Sequence, residues 1–156
     1  DPPISPLRGI GRILTTADAF RRVLSLHRGP ANGITFCQAN FQLMGEDVGA
    51  LVREWCAAGR VRFVHLRDVE GTRERFRETF HDNGPTNLAG MLKLYHEAGF
   101  SGPMRPDHAP TMRGEANDRP GYAMQGKILA IGYMKGAMDA LGIPYAKQDS
   151  IREEPN

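Results

Sequence analysis

Apolar residues recur at helical spacing in four segments of the chain. In the clearest segment, residues 46–58, they occupy positions i, i+3, i+4, i+7 and i+8: Val48, Leu51, Val52, Trp55 and Cys56. This spacing places them on one face of a helix, and Gly59 is suited to end it. Comparable patterns predict three more helices, at residues 15–28, 86–100 and 123–141.

Short apolar runs lie between these helices and predict strands. They cover residues 34–37 (ITFC), 61–66 (VRFVHL) and, more weakly, 102–107 (GPMRPD), and a long polar loop follows the second run as far as Pro85. Helices and strands that alternate in this way predict a parallel sheet flanked by helices. Three strands are few for an independent α/β domain. The pattern therefore favours the C-terminal portion of a (β/α)8 TIM-type barrel, with a small doubly wound domain as the alternative.

Length and composition agree with one domain. The chain has 156 residues, 40% of them hydrophobic, and its 20 basic and 18 acidic residues are dispersed. A basic block interleaved with aromatics is missing, so no nucleic-acid partner is predicted. No apolar stretch is long enough to span a bilayer, so no membrane partner is predicted either. We assign residues 1–142 to the barrel portion and residues 143–156 to a polar C-terminal tail.

Two features of the chain bear on its context. It begins at Asp1 with DPPISP and without an initiator Met, so we expect it to be part of a longer chain. Its two cysteines, Cys37 and Cys56, are too few for a disulfide framework, and reduced thiols fit a cytoplasmic protein. Cys56 lies in a helical pattern and is expected to be a small buried hydrophobe.

Potential metal ligands fall at the ends of the predicted strands. Cys37 ends the first strand, His65 lies near the end of the second, and Asp107 ends the third. In a parallel barrel these strand ends converge on one face, which holds the active site. A thiolate, an imidazole and a carboxylate all suit a divalent transition metal. The alternative is that Cys37 is a core residue, His65 a buried imidazole and Asp107 a turn residue.

Several segments carry a resemblance to a known family. They are NGITFCQANF, VHLRDVEGT, FRETFHDNGPTNLAGMLKLYHEAGFSGPMRPDHAPTM and NDRPGY, in that order. The combination of FxExxHxxG with RPDH and RPGY is specific, and the resemblance covers the chain except for its polar tail. The chain resembles the C-terminal part of the D-mannonate dehydratases, metal-dependent enzymes with a xylose-isomerase-like barrel.

The resemblance implies a metal centre. Cys37, His65 and Asp107 correspond to three of the family's four metal ligands. The fourth, a histidine, would come from an upstream barrel segment that this chain does not include. Mn²⁺ is the expected ion, while Fe²⁺, Co²⁺, Ni²⁺ and Zn²⁺ remain open because one ligand is a cysteine.

The resemblance also implies a reaction, the conversion of D-mannonate to 2-keto-3-deoxy-D-gluconate and water. A proton must leave C2 and a hydroxide must leave C3, so the site needs both a base and an acid. By resemblance, His108 and Tyr122 form this acid-base pair; otherwise His108 is an exposed loop residue and Tyr122 packs at a helix start. Arg105, Arg67 and His81 are the predicted contacts to the sugar acid.

Two other functions stay open. An isomerase or epimerase acting on a related sugar or hydroxy acid would use the same metal site. A non-catalytic barrel fragment could instead serve as an interaction module. An incomplete barrel must also bury its open sheet edge, for which a homo-oligomer is one solution.

Overall fold

The computed structural model describes residues 8–146 and confirms the predicted alternation. All four predicted helices and all three predicted strands are present, together with three elements that the pattern did not predict. In chain order the elements are α1 (Ala17–Leu26), β1 (Ile34–Cys37), α2 (Gln38–Leu43), α3 (Val48–Ala57), β2 (Val61–His65), β3 (Val69–Gly71), β4 (Phe76–Glu78), α4 (Leu88–Glu97), β5 (Met104–Arg105) and α5 (Met124–Leu141).

Side-chain caps determine where three of the helices begin. Thr16 accepts a hydrogen bond from the backbone N–H of Ala19 at 3.2 Å, and Asp47 and Asn87 make the equivalent bonds at α3 and α4. Each cap satisfies a backbone donor that the first helical turn leaves unpaired. At the other end, Gly142 follows α5 in the left-handed conformation, with φ of 66°.

The main sheet is parallel, and its strand order is β1-β2-β5. Between β1 and β2 the register shifts after the first pair, Ile34 with Val61, so that Cys37 aligns with His65. The pairing between β2 and β5 then aligns His65 with Arg105. The ends of all three strands therefore meet at one edge of the sheet.

The core lies between this sheet and the helices. Phe36 of β1 stacks on Phe41 of α2 with ring centroids 4.5 Å apart, and Trp55 of α3 meets Phe41 edge-on at 5.4 Å. Tyr95 of α4 meets Phe36 edge-on at 6.2 Å. These aromatic pairs join α2, α3 and α4 around β1, and each pair adds about 0.5–1.5 kcal/mol to the stabilisation from area burial alone.

The structure corrects the prediction of an unbroken polar loop after β2. Within that segment, β3 and β4 form an antiparallel hairpin, which pairs Val69 with Glu78 and Gly71 with Phe76. The hairpin buries little except Val69, so it lacks the apolar alternation that reveals a half-buried strand. The short helix α2 was also missed, because it starts directly after β1 with no intervening turn signal.

The predicted tail is only partly covered. Residues 147–156 lie outside the described residues, and within residues 143–146 Ile143 is buried in the core. In residues 8–146, no helix combines the length and the apolar character needed to cross a membrane.

A matched pair of leucine substitutions tests this description of the core. Leu92 is 2% exposed in α4, whereas Leu26 at the end of α1 is 75% exposed. We expect Leu92→Ala to lower the free energy of unfolding by about 2–5 kcal/mol, because it removes buried methyl groups and leaves a cavity. Leu26→Ala is the control and should change it by less than about 0.5 kcal/mol. Urea unfolding measures both, and equal effects would contradict the packing.

Candidate metal and acid-base site

The parallel register brings the three predicted metal ligands together. Cys37 and His65 are neighbours on β1 and β2, and Asp107 follows two residues after Arg105 on β5. One ligand atom from each of Cys37, His65 and Asp107 lies within 4.8 Å of the other two. The strand ends thus form a cluster of one sulfur, one nitrogen and one oxygen donor.

The cluster fits a divalent ion in size and chemistry. Bonds from such an ion to these donors are about 2.0–2.3 Å long, so two ligand atoms on opposite sides of it are about 4–4.6 Å apart. In the cluster, His65 Nδ1 and Asp107 Oδ2 are 3.5 Å apart. Burial lowers the pKa of His65, against the opposing effect of Asp107 and with the help of Arg105 and Arg67. A lowered pKa favours the neutral imidazole that a metal requires.

Arg67 places a buried positive charge against this cluster. Its Nε lies 3.4 Å from Cys37 Sγ and 3.6 Å from Asp107 Oδ2. Its Nη2 donates to Asn40 Oδ1 at 2.8 Å, so the short helix α2 helps to hold the guanidinium in place. The buried guanidinium therefore has polar partners at both of these nitrogens, as a buried charge requires.

The third guanidinium nitrogen of Arg67 contacts His108 of the predicted acid-base pair. Nη1 forms an ion pair with Glu78 and lies 2.9 Å from His108 Nδ1. Glu78 Oε1 is itself 3.2 Å from the same His108 nitrogen. The guanidinium thus connects the ligand cluster to the histidine next to Asp107.

His108 and Tyr122, the predicted acid-base pair, are in direct contact. His108 Nε2 and the Tyr122 hydroxyl are 2.8 Å apart, and the two rings meet edge-on. The loop between them closes where the backbone N–H of Ala109 donates to the carbonyl of Gly121 at 3.2 Å. Gly121 has φ of 82°, and a Cβ there would come within 3.1 Å of His108 Cγ. A glycine therefore lets the chain pass the imidazole and return Tyr122 to it.

The three predicted substrate-binding residues differ in their exposure to solvent and in their hydrogen-bond partners. Arg105 has a side chain 50% exposed and donates through Nη2 to Asp107 Oδ1 at 2.7 Å. Each guanidinium nitrogen of the buried Arg67 already contacts a protein group. His81 is buried and donates through Nε2 to the carbonyl of Leu66 at 2.7 Å. Its Nδ1 is buried without a hydrogen-bond partner among the described residues.

Three residues at the site were missed or left undecided by the sequence. Asn40 and Glu78 hold Arg67, but the elements that carry them were not predicted. Asp68 is fully buried and accepts hydrogen bonds from the N–H of Val69 and from both the N–H and the hydroxyl of Thr86. It fastens the loop that carries His81 to the end of β2. The turn residues DNGP after His81 were the one sequence signal for a folded loop here.

Comparison with known proteins gives consistent matches. The family model described as D-mannonate dehydratase (UxuA) matches residues 1–148. Mannonate dehydratase 2 of Halalkalibacterium halodurans is 37% identical over 145 residues, which cover 90% of this chain and 41% of that protein. Mannonate dehydratase of Geobacillus thermodenitrificans is 36% identical over 90% of this chain and 38% of its own length. The chain thus spans about two fifths of these relatives.

A solved structure is also similar. The crystal structure of mannonate dehydratase from Streptococcus suis serotype2 superposes with a TM-score of 0.80 and 28% sequence identity. The match covers 98% of this chain and 47% of that chain.

Stability should depend on pH through His81. Burial lowers the pKa of His81, with its bond to Leu66 opposing this effect. His81 therefore binds a proton more readily in the unfolded chain than in the folded protein. Its contribution to stability is complete above the unfolded pKa of about 6.5 and is lost as the pH falls below that value. We expect His81→Gln to reduce the loss of unfolding free energy between pH 7.5 and 5.5, measured with urea. His96→Gln, at an exposed position of α4, is the control; an unchanged slope in His81→Gln would contradict the assignment.

Proposed function

Because the chain belongs to the D-mannonate dehydratase family, we propose that this protein removes water from D-mannonate to give 2-keto-3-deoxy-D-gluconate in a metal-dependent reaction. The observation that supports this most directly is the combination at one sheet edge of two chemical units. One is the cluster of Cys37, His65 and Asp107, and the other is the contact between His108 and Tyr122. A dehydratase needs both a site for charge stabilisation and an acid-base pair.

The fold proposal follows from the sheet. Within the described residues, β1 and β5 are each paired with a strand on one side only. We propose that residues 1–142 are the C-terminal part of a (β/α)8 barrel and that the predicted tail begins only after Ile143, which packs in the core. An upstream barrel segment would supply the remaining strands and a fourth metal ligand. Free Cys37 and Cys56 support a cytoplasmic location.

The metal would be held by Cys37 Sγ, a ring nitrogen of His65 and a carboxylate oxygen of Asp107. We propose Mn²⁺ as this ion. When bound, it would supply Lewis-acid stabilisation for the negative charge that develops next to the substrate carboxylate. Arg105, which is half exposed beside Asp107, can present its forked donors to that carboxylate. Arg67 and His81, the other two predicted substrate contacts, are buried and already bonded to protein groups, so we propose that they hold the site in shape beside the substrate.

The protein's own groups move the protons. Dehydration breaks the C2–H bond and the C3–O bond, so one group takes the C2 proton and another protonates the departing hydroxyl. His108 and Tyr122 divide these two tasks, and their separation of 2.8 Å lets a proton pass between them after the water leaves. The enol that results becomes the 2-keto acid when C3 gains a proton and the hydroxyl on C2 loses one.

Metal content and turnover should be lost together when a ligand is removed. In the complete natural protein we expect Cys37→Ala and His65→Ala to abolish near-stoichiometric metal binding. Dehydration should fall about 100-fold or more, because several kcal/mol of transition-state stabilisation disappear. Elemental analysis and 2-keto acid formation measure the two effects.

Cys56→Ala is the control for these variants. Burial raises the pKa of the Cys56 thiol to about 11, so it remains a neutral core group. This variant should keep both metal and turnover. If the wild-type protein binds metal but does not dehydrate D-mannonate, the substrate is another sugar acid or the reaction is an isomerisation.

Removing one hydroxyl should separate proton transfer from metal binding. Tyr122→Phe keeps the ring but loses the group that contacts His108. We expect kcat to fall by about 10²–10⁴-fold, the usual effect of deleting a general acid or base, with the metal content unchanged. Tyr145→Phe removes a hydroxyl that contacts Asp139 instead and should leave kcat unaltered. Wild-type turnover in Tyr122→Phe would refute the proposed role.

A further inference from the structure

Glu78 reaches the site from the hairpin. It lies on β4 opposite Val69 of β3, thirty residues before His108 in the chain. Its side chain is 19% exposed, and its contacts are with Arg67 and His108 rather than with Cys37, His65 or Asp107. The hairpin thus places the Glu78 carboxylate next to Nδ1 of His108, whereas Tyr122 contacts Nε2.

The two nitrogens of His108 face different kinds of group. Nε2 faces the Tyr122 hydroxyl at 2.8 Å, whereas Nδ1 lies 2.9 Å from Arg67 Nη1 and 3.2 Å from Glu78 Oε1. A guanidinium can only donate hydrogen bonds and a carboxylate can only accept them. Among these neighbours, Glu78 alone can therefore accept a hydrogen on Nδ1. Without it, Nδ1 could only accept from Arg67, and the ring hydrogen would have to be on Nε2.

We propose that Glu78 is a positioning residue for His108. By accepting the Nδ1 hydrogen it stabilises the tautomer in which Nε2 offers a lone pair to Tyr122 and to the reacting groups. Arg67 supports the same ring position when Nδ1 carries no hydrogen. The imidazole can then hold its hydrogen on either nitrogen without moving. This inference rests on the proposed function, since its purpose is to serve the acid-base pair.

The hairpin itself gains little from this carboxylate. Its other two ion pairs, Arg73 with Glu74 and Arg77 with Glu70, are exposed and keep their charges in water. The Oε2 atom of Glu78, by contrast, is buried and has no hydrogen-bond partner among the described residues. Burying a carboxylate with one oxygen unpaired costs free energy. The contacts of Glu78 are thus explained by His108 and Arg67 rather than by hairpin stability.

Glu78→Gln in the complete, metal-loaded protein tests the proposal. Glutamine keeps the size of the side chain but weakens the acceptor and adds donors. We expect kcat for D-mannonate to fall by about 10–100-fold, as is usual for an outer hydrogen-bond partner of a site, with KM changed less than about 2-fold. Glu78→Asp restores a carboxylate and should recover part of kcat relative to Glu78→Ala. The metal content should remain that of the wild type.

A spectroscopic measurement reports on the tautomer directly. In the protein loaded with diamagnetic Zn²⁺ in place of Mn²⁺ and labelled with ¹⁵N-histidine, the Nδ1 and Nε2 signals of His108, assigned by means of His108→Gln, show which nitrogen carries the hydrogen. We expect Glu78→Gln to shift the ring toward the Nε2–H form. Glu70→Gln is the matched control, because it makes the same charge change on the same hairpin. It should alter neither the signals nor kcat.

Three outcomes would overturn the inference. The first is wild-type kcat together with unchanged His108 signals in Glu78→Gln. The second is an equal loss in Glu70→Gln, which would point to a general effect of hairpin charge. The third is a Glu78→Asp variant no better than Glu78→Ala. If the wild-type protein does not dehydrate D-mannonate, the proposed function fails, but the His108 signals still decide whether Glu78 sets the tautomer.

Discussion

The register of the parallel strands is the constraint on which the site depends. Paired residues on neighbouring strands point to the same face, and a slip by one residue reverses the face. The pairing of β1 with β2 begins with Ile34 opposite Val61 and then shifts, so that Cys37 stands opposite His65. Continued without this shift, the pairing would set Cys37 opposite the core residue Val64. The register shift therefore places the Cys37 thiol and the His65 imidazole side by side on the same face of the sheet.

The buried guanidinium of Arg67 determines how the surrounding elements are used. Cys37 and Asp107 lie on one side of it, and Glu78 and His108 on another. A buried charge needs partners on every side that water cannot reach, because its desolvation is costly. The small elements α2 and the β3–β4 hairpin meet this need by supplying Asn40 and Glu78. Polar contacts explain the place of the hairpin, whose strands bury only Val69, whereas α2 also packs Ala39, Phe41 and Leu43 into the protein.

Two loops carry His81 and the pair of His108 and Tyr122, and hydrogen bonds hold both loops against the rest of the fold. Asp68 binds the N–H and hydroxyl of Thr86, and a Cβ on Gly84 would come within 2.2 Å of its carboxylate. Gly121 allows close passage of the backbone beside His108. Residues on loops are useful for catalysis when a rigid support limits their movement. Here the support consists of hydrogen bonds from Thr86 to Asp68 and from Ala109 to Gly121.

The sequence by itself determined four of the five helices of the described residues and the three strands of the main sheet. Periodic apolar residues such as Leu51 and Trp55 predict a buried helix face, because that signal is local. The sequence also indicated that Cys37, His65 and Asp107 lie at strand ends. Only the tertiary structure decided that Glu78 and Asn40 meet at Arg67, because the hairpin buries too little to leave a pattern and α2 follows β1 with no turn signal between them. It likewise decided that His81 binds the Leu66 carbonyl. Such contacts join residues far apart in the chain, and their geometry depends on strand register and loop closure, which no local pattern records.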